Sequence, residues 1–249
     1  MITRRSYRWV VTIATIFVIW AISGQIIPAT LPTPVAVIRR IPTLLVPRPG
    51  GNLTTHLIRS LMRVLSVSMI TLIVGTTIGI TMAQQRSVEW AVSPWLPLAM
   101  TIPTLVVVLV TMVLFQFGEL AVITATVFVT TPYATVTIWE GARTVDSDLL
   151  AVAATYDVTR SSILREIYLP AVAPAVLGSA RYLLSMVWKV VVLAETFGMS
   201  VGMGALFRFW YGQGDLEALL AALFVFVLVM VGLQAGITQA KERLLVWQG

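Results

Sequence analysis

Six stretches of this chain are each about as long as a lipid bilayer is thick and predominantly apolar. They run Trp9–Ile27, Leu61–Ala83, Leu96–Phe117, Leu120–Trp139, Ala175–Phe197 and Leu216–Gly236. A helix needs about 20 apolar residues to cross the hydrocarbon. Lipid leaves backbone amides no partner outside the chain, so such stretches must be helical. The sequence is 11% charged against 58% hydrophobic, less than half the charge of an ordinary soluble domain, which is about 25%. These observations predict an all-α membrane protein with six transmembrane helices. Pro103 and Pro132 fall inside the third and fourth spans and are expected to kink them. Gly75-x-x-x-Gly79 and Gly232-x-x-x-Gly236 have the spacing that lets helix backbones approach closely, and ordinary packing is the simpler reading of each.

Cations set the orientation. Arg4, Arg5 and Arg8 precede the first span. The twin arginine superficially resembles an export signal, but Trp9–Ile27 is long enough to span and no A-x-A site follows, so it reads as an uncleaved first span. With the N-terminus in the cytoplasm, six spans return the C-terminus there. The cytoplasmic side then receives Arg4, Arg5, Arg8, Arg86, Arg143, Arg160, Arg165, Lys241 and Arg243. The outer side receives Arg39, Arg40, Arg48, Arg59, Arg63 and Arg208, a bias of nine to six. The outer cluster dissents from this orientation. Part of it fits an interfacial helix over Val35–Leu45, with Val35, Ile38 and Ile41 on its apolar face, entered through the stiff Leu31-Pro32-Thr33-Pro34.

Much chemistry is excluded. There are no cysteines and one histidine, His56, so neither a disulfide framework nor a Cys/His metal site fits one chain. No phosphate-binding G-x-x-x-x-G-K-[ST] loop, G-x-S-x-G or H-E-x-x-H occurs. The net charge of +6 lies at span edges rather than among exposed aromatics, which predicts contact with anionic lipid and no nucleic-acid partner. His56 reads as an interface anchor and Glu119 as a loop residue.

Two polar regions remain. Along the fifth span, Arg181, Ser185, Trp188 and Lys189 share one helical face, with Glu195 further on. Charges at this depth normally meet a bundle interior or a water-filled cavity. Lys189 could pair with Glu195 or another helix, could line a passage, or could snorkel. The glycine-rich Gly198–Asp215, with Gly202 and Gly204, reads as a flexible connector or a gating loop. The second region is Ala151–Pro174, AVAATYDVTRSSILREIYLPAVAP, between the fourth and fifth spans. Leu149, Val152, Ala153 and Tyr156 have helical spacing, as do Ile163, Leu164 and Ile167. Asp157 or Thr159 can cap the second helix, Pro170 is expected to stop it, and Pro174 to open the fifth span.

At these residues the chain resembles the permease subunits of binding-protein-dependent ABC importers. Their cytoplasmic signature runs E-A-A, three residues, G, nine residues, I-x-L-P. The ending stands intact as Ile167-Tyr168-Leu169-Pro170. The E-A-A position is Ala151-Val152-Ala153 and the glycine position is Asp157, a residue able to adopt left-handed or capping conformations. From about Leu31 to Trp247 the chain is similar to the nitrate/sulfonate/taurine branch. The matching pieces are Leu31–Pro34, His56–Val64, Ile102-Pro103-Thr104, Phe117-Gly118-Glu119, Arg181, Trp188, Ala194-Glu195 and Gly202-Met203-Gly204. Lys189 departs from that branch, which is usually apolar there.

The resemblance implies a type I ABC importer permease fold in one membrane domain over 1–249, with 1–57 as first span and interfacial segment and 58–249 as the core. It implies a multi-pass protein of a prokaryotic cytoplasmic membrane with both termini cytoplasmic. A second permease chain, as a homodimer, would complete the pathway. Two ATP-binding cassette ATPase subunits would carry ATP and Mg, with no cofactor in this chain, and a solute-binding protein would deliver cargo outside. Coupling to the ATPases falls to Ala151, Val152, Ala153, Tyr156, Asp157, Arg160, Leu164, Arg165 and Pro170. The pathway or its gate falls to Arg181, Ser185, Trp188, Lys189, Glu195, Gly202 and Gly204. A sulfonate, taurine or nitrate is the expected cargo, with a vitamin precursor or aromatic acid as the alternative. A stand-alone secondary transporter lacks support, because no inverted repeat is detectable.

Overall fold

The computed structural model describes residues 4–28, 30–46 and 52–244. Met1, Arg48 and Trp247 lie outside them, and the side chains of Arg4, Arg5, Trp9, Lys241 and Arg243 are likewise not described. Twelve helices follow one another, with no strand among the described residues: α1 Arg4–Ile26, α2 Pro34–Leu45, α3 Leu53–Gln84, α4 Arg86–Val92, α5 Trp95–Thr101, α6 Thr104–Leu114, α7 Glu119–Ala142, α8 Ser147–Thr155, α9 Arg160–Ser162, α10 Leu169–Gly198, α11 Met203–Gly212 and α12 Leu216–Leu244. A π-helical stretch, Ile163–Tyr168, joins α9 to α10.

Among the described residues four helices are long and apolar enough to cross a membrane: Leu53–Gln84, Glu119–Ala142, Arg160–Gly198 and Leu216–Gln239. The described apolar part of α1 is shorter, Val10–Ile26. The third predicted span needs correction. It is two helical pieces, Arg86–Thr101 and Thr104–Leu114, bent by 99°. Proline pushes the residue before it out of the helical region. Ile102 accordingly sits at ψ 126° and Pro103 at ψ 123°. Pro132, by contrast, stays inside a continuous α7.

Helix directions follow from the contacts. Arg63 meets Glu119, Thr71 meets Thr130, and Gly75 and Gly79 lie against Ala134 and Trp139. Both numbers rise together, so α3 and α7 run parallel. The chain between them must return across the bilayer, which makes the bent α5–α6 pair a broken crossing. A Cβ on Gly75 would stand 2.6 Å from the Ala134 Cβ, so the first glycine pair packs α3 on α7. Gly232 and Gly236 have open space around them. Gly141 lies against Ala175 and Tyr133 against Tyr182, so α10 runs antiparallel to α7. Trp188 packs on Phe226 and Ser185 on Gln234, so α12 is antiparallel to α10.

Three apolar cores hold this together. The largest joins α3, α6, α7 and α10 through Val64, Val108, Val122, Leu183 and Val187. A second joins α2, α11 and α12 through Val37, Leu44, Trp210 and Phe226. The interfacial-helix expectation changes here. Thr33 caps α2, and its packed face carries Val37, Ile41 and Leu44 at i, i+4, i+7 spacing, whereas Val35 and Ile38 are exposed. The third core joins Ile80, Ile138, Ala142, Tyr168 and Val172, with Leu150 and Ile163 packed on it. It seats the polar insert on the ends of α3 and α7.

Candidate functional site

The insert divides at Asp157. In α8, Ala153 is buried and Leu150 packs inward, while Leu149 and Val152 stand exposed, as does Tyr156 just past its end, at 78%. Asp157 has φ 51°, the left-handed conformation that glycine adopts most easily. Thr159 then caps the next helix, its Oγ1 accepting from the Ser162 N–H at 3.3 Å. Ala151, Arg160, Leu164 and Arg165 are exposed. Gln84, Gln85, Leu150, Arg160, Ile163 and Tyr168 line a cleft of about 270 Å³ at this end of the bundle.

The expected stop at Pro170 does not occur. The helix runs unbroken from Arg160 to Gly198. Proline has no N–H and its ring crowds the preceding turn. Here the turn widens instead: the Leu169 N–H donates to Leu164 O, five residues back, and Pro170 passes within the first turn of α10. Pro174 likewise lies inside α10 rather than at its start.

The opposite end of the bundle holds a buried ion cluster that sequence reading missed. Arg63 grips Glu119 with two nitrogens, Nε to Oε2 at 2.7 Å and Nη2 to Oε1 at 2.6 Å. Its Nη1 donates to Glu195 Oε1 and to Val201 O, both at 2.7 Å. Glu195 is wholly buried and also accepts from Ser60 Oγ and, at 3.0 Å, from the Gly204 N–H. Ser60 Oγ in turn accepts from the Met203 N–H at 2.7 Å, and the Gly202 N–H donates to His56 Nδ1 at 3.0 Å. Gly202 has φ 142°, and a Cβ there would sit 2.6 Å from the Glu195 carboxylate oxygens. One guanidinium thus ties α3, α7, α10 and the α10–α11 turn together with planar, charge-assisted bonds.

This corrects several expectations. Glu195 pairs with Arg63, not Lys189. His56, Ser60 and Arg63 lie on one face of α3 at i, i+4, i+7. That helix begins at Leu53, where Asn52 Oδ1 caps the Thr55 N–H at 3.0 Å, eight residues before the predicted span. Glu119 opens α7 rather than sitting in a loop. Gly198–Asp215 is not a loose connector. It contains α11, with Met203, Gly204, Ala205, Leu206 and Trp210 buried. Arg208 donates to Thr196 O at 2.7 Å and Met199 O at 3.0 Å, closing the end of α10. Arg40 pairs with Asp215 at 2.6 Å. Two arginines of the dissenting outer cluster are therefore neutralised within the fold.

The remaining fifth-span residues separate. Trp188 is half-buried edge-on against Phe226, and Ser185 accepts from Gln234 Nε2 at 2.8 Å. Arg181 and Lys189 are exposed. The Lys189 Nζ stands 5.9 Å from the centre of the Trp188 ring.

Comparisons with known proteins agree with this architecture. The chain is 26% identical over 251 residues to a putative aliphatic sulfonates transport permease protein of Bacillus subtilis, covering 98% of this chain and 90% of that one. It is 24% identical over 246 residues to the taurine transport system permease protein of Escherichia coli, covering 96% and 88%. Among solved structures it resembles an inward-facing methionine ABC transporter, with TM-score 0.61 and 16% identity over 75% of this chain and 95% of that one. That likeness is one of fold, the fold of type I importer permeases. Residues 75–240 match the family described as binding-protein-dependent transport system inner membrane component. The chain belongs to that family and is a multi-pass membrane permease subunit of an ABC importer.

Proposed function

We propose that this permease works as a pair of identical chains, driven by two separate ATPase subunits that bind ATP and Mg and seat on the α8 face. A solute-binding protein would deliver cargo to the opposite face, beside the ion cluster. The observation that carries this reading is the exposed stripe Leu149, Val152 and Tyr156, next to Arg160 at the head of the long helix. An exposed apolar stripe at the water-facing end of a membrane bundle is costly unless a partner covers it. Asp157 turns the chain between the two arms of this surface, and the third apolar core fixes it to the ends of α3 and α7. Closure of the ATPases on ATP would push the two docking faces together and open the pathway outward by rigid-body alternating access.

On this reading the α8 side is cytoplasmic, α1 is the sixth crossing and both termini are cytoplasmic. The named relatives support a small sulfonate-type solute such as taurine as cargo. Co-purification tests the machinery: the tagged permease should retain a stoichiometric ATPase subunit, whose hydrolysis rises when the binding protein is added with taurine. A chain that transports fully when purified alone would overturn the reading. Titration of the binding protein with taurine, alkanesulfonates, nitrate and vitamin precursors tests the cargo.

A further inference from the structure

Two charged side chains of α10 belong to neither the ion cluster nor the docking face. Arg181 and Lys189 are exposed on the side of α10 opposite its buried Leu183, Leu184, Val187, Val190 and Val191. Along α10, Lys189 lies six residues, about 9 Å, inside the level of Glu195, and Arg181 lies about 21 Å inside it. On α3, Arg63 to Gln84 covers about 31 Å, close to the hydrocarbon thickness of about 30 Å. Both cations therefore stand at lipid depth. No carboxylate among the described residues lies within 4.0 Å of either. A cation facing lipid there costs a few kcal/mol, so such groups normally face water or protein.

The surroundings of this face are polar too. Ser185 lies between the two cations and bonds Gln234 of α12. The Lys189 ammonium lies near the Trp188 ring rather than among carboxylates, and Gly178, on the same side, has open space around it. Arg181, Ser185, Lys189 and Gln234 thus form one polar strip on α10 and α12.

We infer that this strip lines a water-filled passage completed by a second copy of the chain, and that Arg181 and Lys189 make the passage selective for anions. The inference rests on the permease reading above. Two copies contribute four cations to one low-dielectric space, which concentrates anions and repels cations. Arg181 and Lys189 are then specificity residues of the membrane path itself, separate from any choice made by a binding protein.

The absence of native cysteine makes the test direct, because an introduced thiol is the only one in the chain. Lys189→Cys is placed in the complete complex in vesicles and treated with an anionic methanethiosulfonate, the ethylsulfonate, and a cationic one, the ethyltrimethylammonium. Tyr211→Cys, on an exposed helix end, supplies the ratio of the two rates in open water. The expected result is modification at residue 189 with an anion-to-cation rate ratio about tenfold above that at residue 211. Arg181→Gln in the Lys189→Cys background should return the ratio toward the open-water value. A thiol at 189 that reacts with neither reagent in any nucleotide state, but with a lipid-soluble maleimide, would overturn the passage. Equal ratios at 189 and 211 would overturn the anion selectivity. ATPase stimulation is measured on the same preparation. A stimulated complex with an unreactive thiol sinks this inference alone, whereas a reactive, anion-selective thiol without a bound ATPase sinks the proposed ATPase docking and keeps the passage.

Discussion

The two ends of the bundle treat polarity in opposite ways. At one end Arg63, Glu195, Ser60 and His56 turn inward, with the half-exposed Glu119 closing the cluster, and nearly every donor and acceptor is used within the chain. At the other, Arg160, Arg165 and Tyr156 turn outward and are left to something else. The difference teaches what each end is for. Inward polarity fixes one arrangement of helices, because breaking it strands a charge away from water. Outward polarity does little for the fold and leaves a surface whose cost or benefit depends on a partner.

The contrast can be broken by substitution. Arg63→Met should have the largest effect, about 3–5 kcal/mol, since it leaves the fully buried Glu195 without its cation. Thermal unfolding of the purified complex would show it as a large fall in midpoint. Adding Glu195→Leu to Arg63→Met should recover part of that loss, because the stranded charge goes with its partner; no recovery would mean that the cluster is not held by this pair. Gly202→Ala should cost about 1–3 kcal/mol, from φ 142° and from the Glu195 carboxylate occupying the space a methyl needs. Arg160→Glu and Tyr156→Ala should shift stability by less than about 0.5 kcal/mol yet separate ATP hydrolysis from uptake. Uptake per ATP in proteoliposomes measures this, and unchanged coupling would count against the docking assignment. Asp157 tests the turn between the two arms rather than the contact with a partner. Asp157→Gly should stay within about 1 kcal/mol of the parent, and Asp157→Val should lose about 1–2 kcal/mol in the left-handed turn.

How much of this could be read from the sequence follows from how far apart the interacting residues lie. α7, α10 and α12 are local hydropathy signals and appear close to where expected, and so is α3 apart from its early start at Leu53. The break at Pro103 is also local, though its size is not: a proline removes one bond and restricts one neighbour, and packing decides whether the result is a kink or a 99° turn. The ion cluster is the opposite case. Arg63 finds partners 56 and 132 residues away. His56 and Arg59 lower the local hydropathy, so the predicted span began at Leu61, beyond the histidine. With that helix started too late, His56, Ser60 and Arg63 could not be seen as one face. Lys189 and Glu195 share the fifth span, which made their pairing an open reading. Their i, i+6 spacing puts them on different faces of α10, and that could have been noticed. The four resemblance pieces His56–Val64, Phe117–Glu119, Ala194-Glu195 and Gly202–Gly204 are scattered in sequence yet meet at this one cluster.

The widened turn at Ile163–Tyr168 has a mechanical consequence. Because Pro170 is absorbed rather than used as a stop, Arg160 and Glu195 belong to one continuous helical rod. Thirty-five residues of helix are about 52 Å long. Rotating such a rod by about 5° around one end carries the other through an arc of about 5 Å, roughly one helical turn. A thrust on the proposed docking face would therefore arrive at the ion cluster as leverage, with the guanidinium of Arg63 as the bearing against which that lever works.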